Sequence, residues 1–431
     1  MEVEGTDVEG TEVVVVGRDE FRPLTRPRDG VPPLVNTRNR LVQAAAALSA
    51  GTGPVAVDAE RASGYRYGQR AFLVQLRREG TGTVLIDPVP LPDLGVVQTA
   101  LGSAEWVLHA ANQDLACLAE VGLRPGGELF DTELAARLAG FDKVGLAAIV
   151  ENLLGWQLAK EHSAVDWSTR PLPEPWLRYA ALDVEVLVEL RNELATELDA
   201  QGKLAWAREE FAAVRDAPVP SPRTDPWRRT SGMHAVKSRR QLAVLRELWN
   251  EREEMARRRD LAPGRVLPDR ALVAAAATMP TSREQLAGLA VFSGPANRRL
   301  ADRWMQAIER GRSLPDGELP ASTLRGDGPP PPRAWRERDP LAAERLTLAR
   351  ALVTERSEAL AVPVENLLTP DLLRRLCWRP PADSTVQGIA AALAEMGARR
   401  WQVRLLSPDL AAAFAAAGAS LESEVVPGKQ P

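Results

Sequence analysis

An α/β domain with a mixed sheet, followed by two all-α domains, is the architecture predicted by the 431-residue sequence, and three observations carry it. Strand-like and helix-like segments alternate from about Leu34 to Arg215; no strand signal follows Ala235; and two Pro-rich stretches divide the chain.

In the first piece, VAVDAE (Val55–Glu60), AFLVQL (Ala71–Leu76), TVLID (Thr83–Asp87) and EWVLHA (Glu105–Ala110) have strand composition. RLVQAAAALSA (Arg40–Ala50), DLACLAEVG (Asp114–Gly122), TELAARLAG (Thr132–Gly140) and the long run Leu177–Leu198 have helical periodicity. The boundaries that follow are an N-terminal tail 1–33, an α/β domain 34–215, a linker 216–234, a helical domain 235–312, a Pro/Gly-rich linker 313–333, a second helical domain 334–420 and a C-terminal tail 421–431. VLPDRAL (Val266–Leu272) and LLTPDLL (Leu367–Leu373) occupy matching places in the two helical pieces, an offset of about a hundred residues that suggests a duplicated module.

Composition narrows the function classes. Apolar residues make up 45 % and charged residues 26 %, ordinary for a soluble globular chain. Cys117 and Cys377 lie far apart inside helix-like patterns, which argues against a disulfide or a zinc site and for a reducing, cytoplasmic setting. The acidic start, with its four valines, reads as neither a secretory signal nor a membrane span. The net charge is −4, yet Ala235–Arg312 holds 16 Lys and Arg against 9 Asp and Glu, a basic block suited either to a solvated helix surface or to phosphate.

Chemistry concentrates in the first piece. On a strand, residues two apart share a face, so Asp58 and Glu60 project together, and a hard divalent cation such as Mg²⁺ or Mn²⁺ relieves their repulsion. Asp114 falls where a strand gives way to a helix, a place that also suits a simple helix-start carboxylate. Tyr179 and Asp183 are one helical turn apart, about 6 Å of rise, and a phenol there can hold a water beside a metal-binding carboxylate. Singly, each has an ordinary structural explanation; their order in one domain does not.

That ordered set resembles the DEDD exonuclease superfamily, in the branch with a tyrosine in its third motif, and the wider chain resembles ribonuclease D. VAVDAERASGYRYGQRAFLVQL looks like the first motif, VLHAANQDLACL like the second and SAVDWSTRPLPEPWLRYAALDVEVL like the third. The helical pieces resemble HRDC domains, which bind nucleic acid. The resemblance implies a ribonuclease H-like exonuclease domain followed by two HRDC-like domains. It implies that Asp58, Glu60, Asp114 and Asp183 bind two divalent metal ions, Mg²⁺ or Mn²⁺, and that Tyr179 positions the attacking water. The implied activity is 3′ to 5′ removal of nucleoside 5′-monophosphates from RNA with a free 3′ end, transfer RNA precursors among them. A DNA exonuclease and a non-catalytic nucleic-acid-binding protein are the competing readings.

Arg61 departs from the family pattern, which has a hydrophobic residue after the motif's glutamate, and it becomes a candidate contact to a base or phosphate. The other candidate nucleic-acid contacts are Lys160, Lys237, Arg239, Arg240, Arg257, Arg258 and Arg259. His109 is expected to pack or hydrogen-bond within the fold, and Trp156, Trp167 and Trp176 to pack around the third motif.

Overall fold

The computed structural model describes residues 21–159, 165–218, 223–322 and 328–425. β2 (Thr52–Arg61), β3 (Ala71–Glu79) and β4 (Gly82–Ile86) form an antiparallel meander. β5 (Trp106–Leu108) and β6 (Leu129–Asp131) add parallel to β2, giving a mixed sheet of order β4-β3-β2-β5-β6. A separate parallel pair joins β1 (Arg22–Leu24) to β7 (Trp156–Leu158).

Helices cover both faces, which is why Val55, Ala56 and Val57 are all buried rather than alternating. α1 (Arg38–Ala50), α2 (Gly95–Leu101) and α3 (Leu115–Glu120) pack with Val55, Val57 and Trp106 on one side. α4 (Thr132–Ala139), α5 (Leu146–Leu154), α6 (Glu174–Glu185), α7 (Leu187–Ala200) and α8 (Leu204–Arg215) follow in chain order, and most of them pack with Ala56, Val107 and Phe130 on the other. The helix expected over Leu177–Leu198 is two helices that break at Val186. The β-branched run Val184, Val186, Val188 weakens helix there. The break lets Ala180 and Ala181 pack beside Phe72 and Leu73 while Leu187 and Leu190 join the core around α4.

The first helical module comprises α9 (Arg239–Arg259), α10 (Pro263–Val266), α11 (Asp269–Thr278), α12 (Arg283–Ala287), α13 (Pro295–Arg299) and α14 (Ala301–Ser313), around its own core of Leu245, Leu248, Leu272, Trp304 and Ile308. The second comprises α15 (Trp335–Arg338), α16 (Pro340–Leu360), α17 (Val364–Leu367), α18 (Pro370–Trp378), α19 (Val386–Glu395) and α20 (Arg400–Val425). The internal echo is visible in three dimensions. α9 and α16 are both 21 residues long and both end on a left-handed residue, Asp260 or Ala361, before a four-residue helix that starts with a proline at or just before its first turn.

The expected linkers are partly built into the fold. Trp227, inside the first, is buried in the core of the first helical module, because a large apolar ring in a Pro- and Arg-rich stretch still gains by leaving water. Residues 312–320 fold back on the start of α9.

Candidate active site

β2 carries Asp58 and Glu60 on the face that α6 crosses, and α6 brings Asp183 to meet them. One carboxylate oxygen from each of the three lies within 4.8 Å of the others, and all three residues are partly buried. Asp114 lines the same pocket of about 420 Å³, together with Tyr179, His109 and Arg61. It stands outside the tight group of three, with its Oδ1 3.5 Å from the Arg61 guanidinium.

Asp114 occupies the position just before α3, yet its side chain caps nothing. The carboxylate faces the pocket instead. Its placement depends on Asp131, a buried residue that the sequence reading missed. The Asp131 carboxylate accepts from the backbone N–H groups of Ala110 (3.0 Å), Ala111 (2.8 Å), Glu133 (3.0 Å) and Leu134 (3.2 Å). One residue thus starts α4 and holds the turn after β5, where Ala110 adopts a left-handed φ of 60° that costs a non-glycine residue energy. Gln75 was also missed. It faces Asp58 directly across the antiparallel pair and donates from Nε2 to Asp58 Oδ2 at 3.3 Å. Its one available signal is a fully buried amide in the otherwise apolar run AFLVQL.

Crowded acids in a half-buried pocket hold their protons. Burial pushes Asp58 up to about 6. Burial, then the charges of Asp58, Asp183 and Asp114, push Glu60 up to about 10. Asp114 rises to about 8, by burial and Asp58, and Asp183 rises for the same two reasons. Such a set is under-compensated, since among the described residues the Arg61 guanidinium is the cation that offsets it. All the donors are hard oxygens, so the residues present fit divalent cations. Tyr179 hydrogen-bonds to Asp183, and burial plus the neighbouring carboxylates raise its phenol above the ordinary value.

Besides Arg61 in the pocket, the described candidate nucleic-acid contacts fall at the two ends of α9. Arg257, Arg258 and Arg259 are exposed at the C-terminal end of α9, while Lys237, Arg239 and Arg240 lie near its start, about 30 Å away along a 21-residue helix. Arg239 and Arg240 also serve the fold. The Arg239 guanidinium donates to the carbonyls of Asp316 (3.3 Å), Leu319 (2.7 Å) and Pro320 (3.1 Å). The Arg240 guanidinium donates to the carbonyls of Arg312 (3.1 Å) and Leu314 and pairs with Asp316. These donors hold the folded-back chain, through Nε and Nη2 of Arg239 and both Nη atoms of Arg240. Lys160 lies outside the described residues, as does His162.

The α9 C-terminus meets the nuclease at residues 62–70, the loop that follows Arg61. The Asp260 carboxylate accepts from Tyr67 N at 3.3 Å and pairs with Arg66, Ala262 N donates to Tyr65 O at 2.9 Å, and Arg265 Nε donates to Gly64 O at 2.7 Å. Arg257 and Arg265 also lie over the rings of Tyr67 and Tyr65. Arg66 Nε in turn donates to Ser168 Oγ at 2.8 Å, in the lead-in to α6. Trp167 is buried there, edge-on to Trp176, so packing rather than base stacking explains it.

Comparison with known proteins supplies the family. Residues 34–199 match the family model of the 3′-5′ exonuclease, residues 241–308 that of the HRDC domain, and residues 328–414 that of the 3′ to 5′ exonuclease C-terminal domain. The ribonuclease D of Gluconacetobacter diazotrophicus is 34 % identical over 283 residues, 64 % of this chain and 71 % of that protein. The chain belongs to the ribonuclease D family. As a ribonuclease D family member it is a 3′-5′ exoribonuclease that binds nucleic acid and uses divalent metal. A solved protein from Bifidobacterium adolescentis superposes with a TM-score of 0.84 at 37 % identity, covering 92 % of this chain and all of that one. Escherichia coli RNase D, described as an exoribonuclease involved in structured RNA processing, superposes at 0.63 and 27 % identity, covering 91 % and 98 %. The second helical module thus matches a model of its own, distinct from the HRDC model matched by the first. Among the described residues, no helix of this ribonuclease D family member is long and apolar enough to cross a membrane.

Proposed function

We propose that this chain trims the 3′ ends of structured RNA, transfer RNA precursors among them, releasing nucleoside 5′-monophosphates in a reducing, cytoplasmic setting. The observation that carries the reading is the convergence of Asp58, Glu60 and Asp183 oxygens within 4.8 Å, with Asp114 on the same pocket wall. These four carboxylates would hold two divalent ions, Mg²⁺ or Mn²⁺. When bound, such ions generate hydroxide at neutral pH and stabilise the charge on the entering and leaving oxygens of an in-line displacement.

The protein's own groups do the positioning. Tyr179 keeps its proton at neutral pH, because its phenol is held above the ordinary value, so it orients water and does not abstract a proton. With its O–H given to Asp183, its oxygen lone pairs accept from the water and set the direction of attack. Gln75 fixes the rotamer of Asp58 from the neighbouring strand. Arg61, with a quarter of its side chain exposed, is placed to leave Asp114 for a strand phosphate when cations take over its role. Arg257, Arg258, Arg259 and Lys237 supply basic surface for the body of the RNA, and the two buried free thiols suit a reducing compartment.

The test is degradation of a 3′-extended RNA by purified protein with Mg²⁺ or Mn²⁺. Asp58→Asn is expected to lower the rate by roughly three orders of magnitude or more; wild-type rate in that variant overturns the assignment.

A further inference from the structure

The carboxylates and Tyr179 act at the phosphodiester and are indifferent to the sugar that carries it. Ribose differs from deoxyribose by one hydroxyl, and a protein distinguishes the two by what it offers that 2′-OH. His109 makes such an offer. It follows β5 directly, five residues before Asp114, and its ring lines the same pocket beside Leu146 and Leu158.

The tautomer of His109 follows from its neighbour. Nδ1 lies 2.9 Å from Thr132 Oγ1, and that fully buried hydroxyl donates to the carbonyl of Leu108 at 3.2 Å. A hydroxyl whose hydrogen is already given to a carbonyl can only accept from the ring, so Nδ1 carries the imidazole hydrogen. Nε2, on the other edge of the ring, then presents a lone pair, since the hydrogen bond His109 makes among the described residues runs through Nδ1. Burial pushes the ring down to about 4, so it is neutral at physiological pH.

A neutral acceptor gains nothing from phosphate oxygens, which are acceptors too. What it can take from the strand end is an O–H or an N–H. Base N–H groups change from one nucleotide to the next, whereas the 2′-hydroxyl is present at every step. Gln113, on the same wall, is exposed and offers donor and acceptor alike, so it does not select.

We infer that His109 Nε2 accepts a hydrogen bond from the 2′-hydroxyl of one of the two nucleotides flanking the scissile phosphate, and so selects ribose over deoxyribose at the 3′ end. The inference rests on the exonuclease reading of this pocket.

The experiment measures kcat/KM on one oligoribonucleotide and on versions with a single 2′-deoxy sugar at the last or the next-to-last position. Wild type is expected to prefer the all-ribose strand over one of these by roughly tenfold, the effect of one hydrogen bond whose loss leaves a partner unpaired. His109→Phe, which keeps a flat ring and loses the acceptor, should bring that ratio to near one, and His109→Gln, which restores an acceptor, should recover part of it. Thr132→Val, which releases the tautomer, should lower it as well. A ratio unchanged in His109→Phe, or no discrimination by wild type at either sugar, overturns the inference while leaving the exonuclease standing. Absence of cleavage of every strand by wild type removes the exonuclease reading, and this inference with it.

Discussion

Glu60 stands among three other carboxylates with one arginine to offset them, and its behaviour without metal follows from that crowding. Its carboxyl is held at about 10 and that of Asp114 at about 8, against ordinary values of 4.5 and 3.8. Between the ordinary and the raised values the folded chain binds more protons than the unfolded one. Stability therefore falls as pH rises through that window. Metal-free protein is expected to melt at a higher temperature near pH 5 than near pH 8, and Mn²⁺ should raise the melting point more at the higher pH. Calorimetric scans at the two values check both statements. Glu60→Gln replaces a strongly raised acid by a neutral isostere. It should stabilise the metal-free protein at pH 8 by roughly 1 kcal/mol while abolishing RNA degradation, a trade of function for stability. Asp131→Ala removes the acceptor of four backbone donors and is expected to cost about 3 kcal/mol, read by denaturant unfolding.

At this scale the acids were legible from the order of the set, and spacing puts two pairs on common faces. Asp58 and Glu60 share a strand face, and Tyr179 and Asp183 share a helix face. Gln75 and Asp131 were not legible, because each acts through a partner fixed by strand register or by a turn, and neither exists until the sheet is assembled. The structural duty of Arg239 and Arg240 was not legible for a related reason. A charge run shows where cations are, but not that backbone carbonyls 70 to 80 residues away will claim them.

The element that joins the carboxylate site to the first helical module is the loop over residues 62–70. It leaves β2 directly after Arg61, meets the end of α9 through Asp260 and meets the lead-in to α6 through Arg66 and Ser168. The first helical module is thereby tied to both strand and helix of the site. Asp260→Gly keeps the left-handed backbone that this position requires, φ 49°, and deletes the carboxylate. It should lower kcat several-fold even on a dinucleotide that contacts none of α9, whereas Asp260→Asn, which still accepts from Tyr67 N, should retain most of it. A change confined to KM on long RNA would instead assign α9 to binding alone. The helical modules themselves were visible in periodicity, but this docking was not, since its bonds run between segments nearly 200 residues apart.

Over the whole molecule the two helical modules sit differently. The first has its own core. The second shares one continuous core with the nuclease: Trp206 of α8 stacks on Trp401 of α20 at 4.8 Å, Trp401 Nε1 donates to Glu210, and Lys203 Nζ donates to the carbonyls of Leu138 and Leu360. Trp401→Ala is expected to cost about 3–5 kcal/mol and to lower the unfolding midpoint of the nuclease domain along with that of its neighbour. A separate, earlier transition for residues 334–420 would show the shared core to be dispensable.

The claim beneath all of this is that the pocket formed by β2, α6 and the turn before α3 captures a pair of divalent cations. Titrating metal-free protein with Mn²⁺ at pH 7.5, followed by calorimetry and electron paramagnetic resonance, tests it most directly. The account predicts saturation at two ions per chain, proton release as the raised carboxyls ionise, a spin-coupled signal, and loss of at least one ion in Asp58→Asn. Binding that does not saturate, or that is the same in wild type and Asp58→Asn, would contradict it.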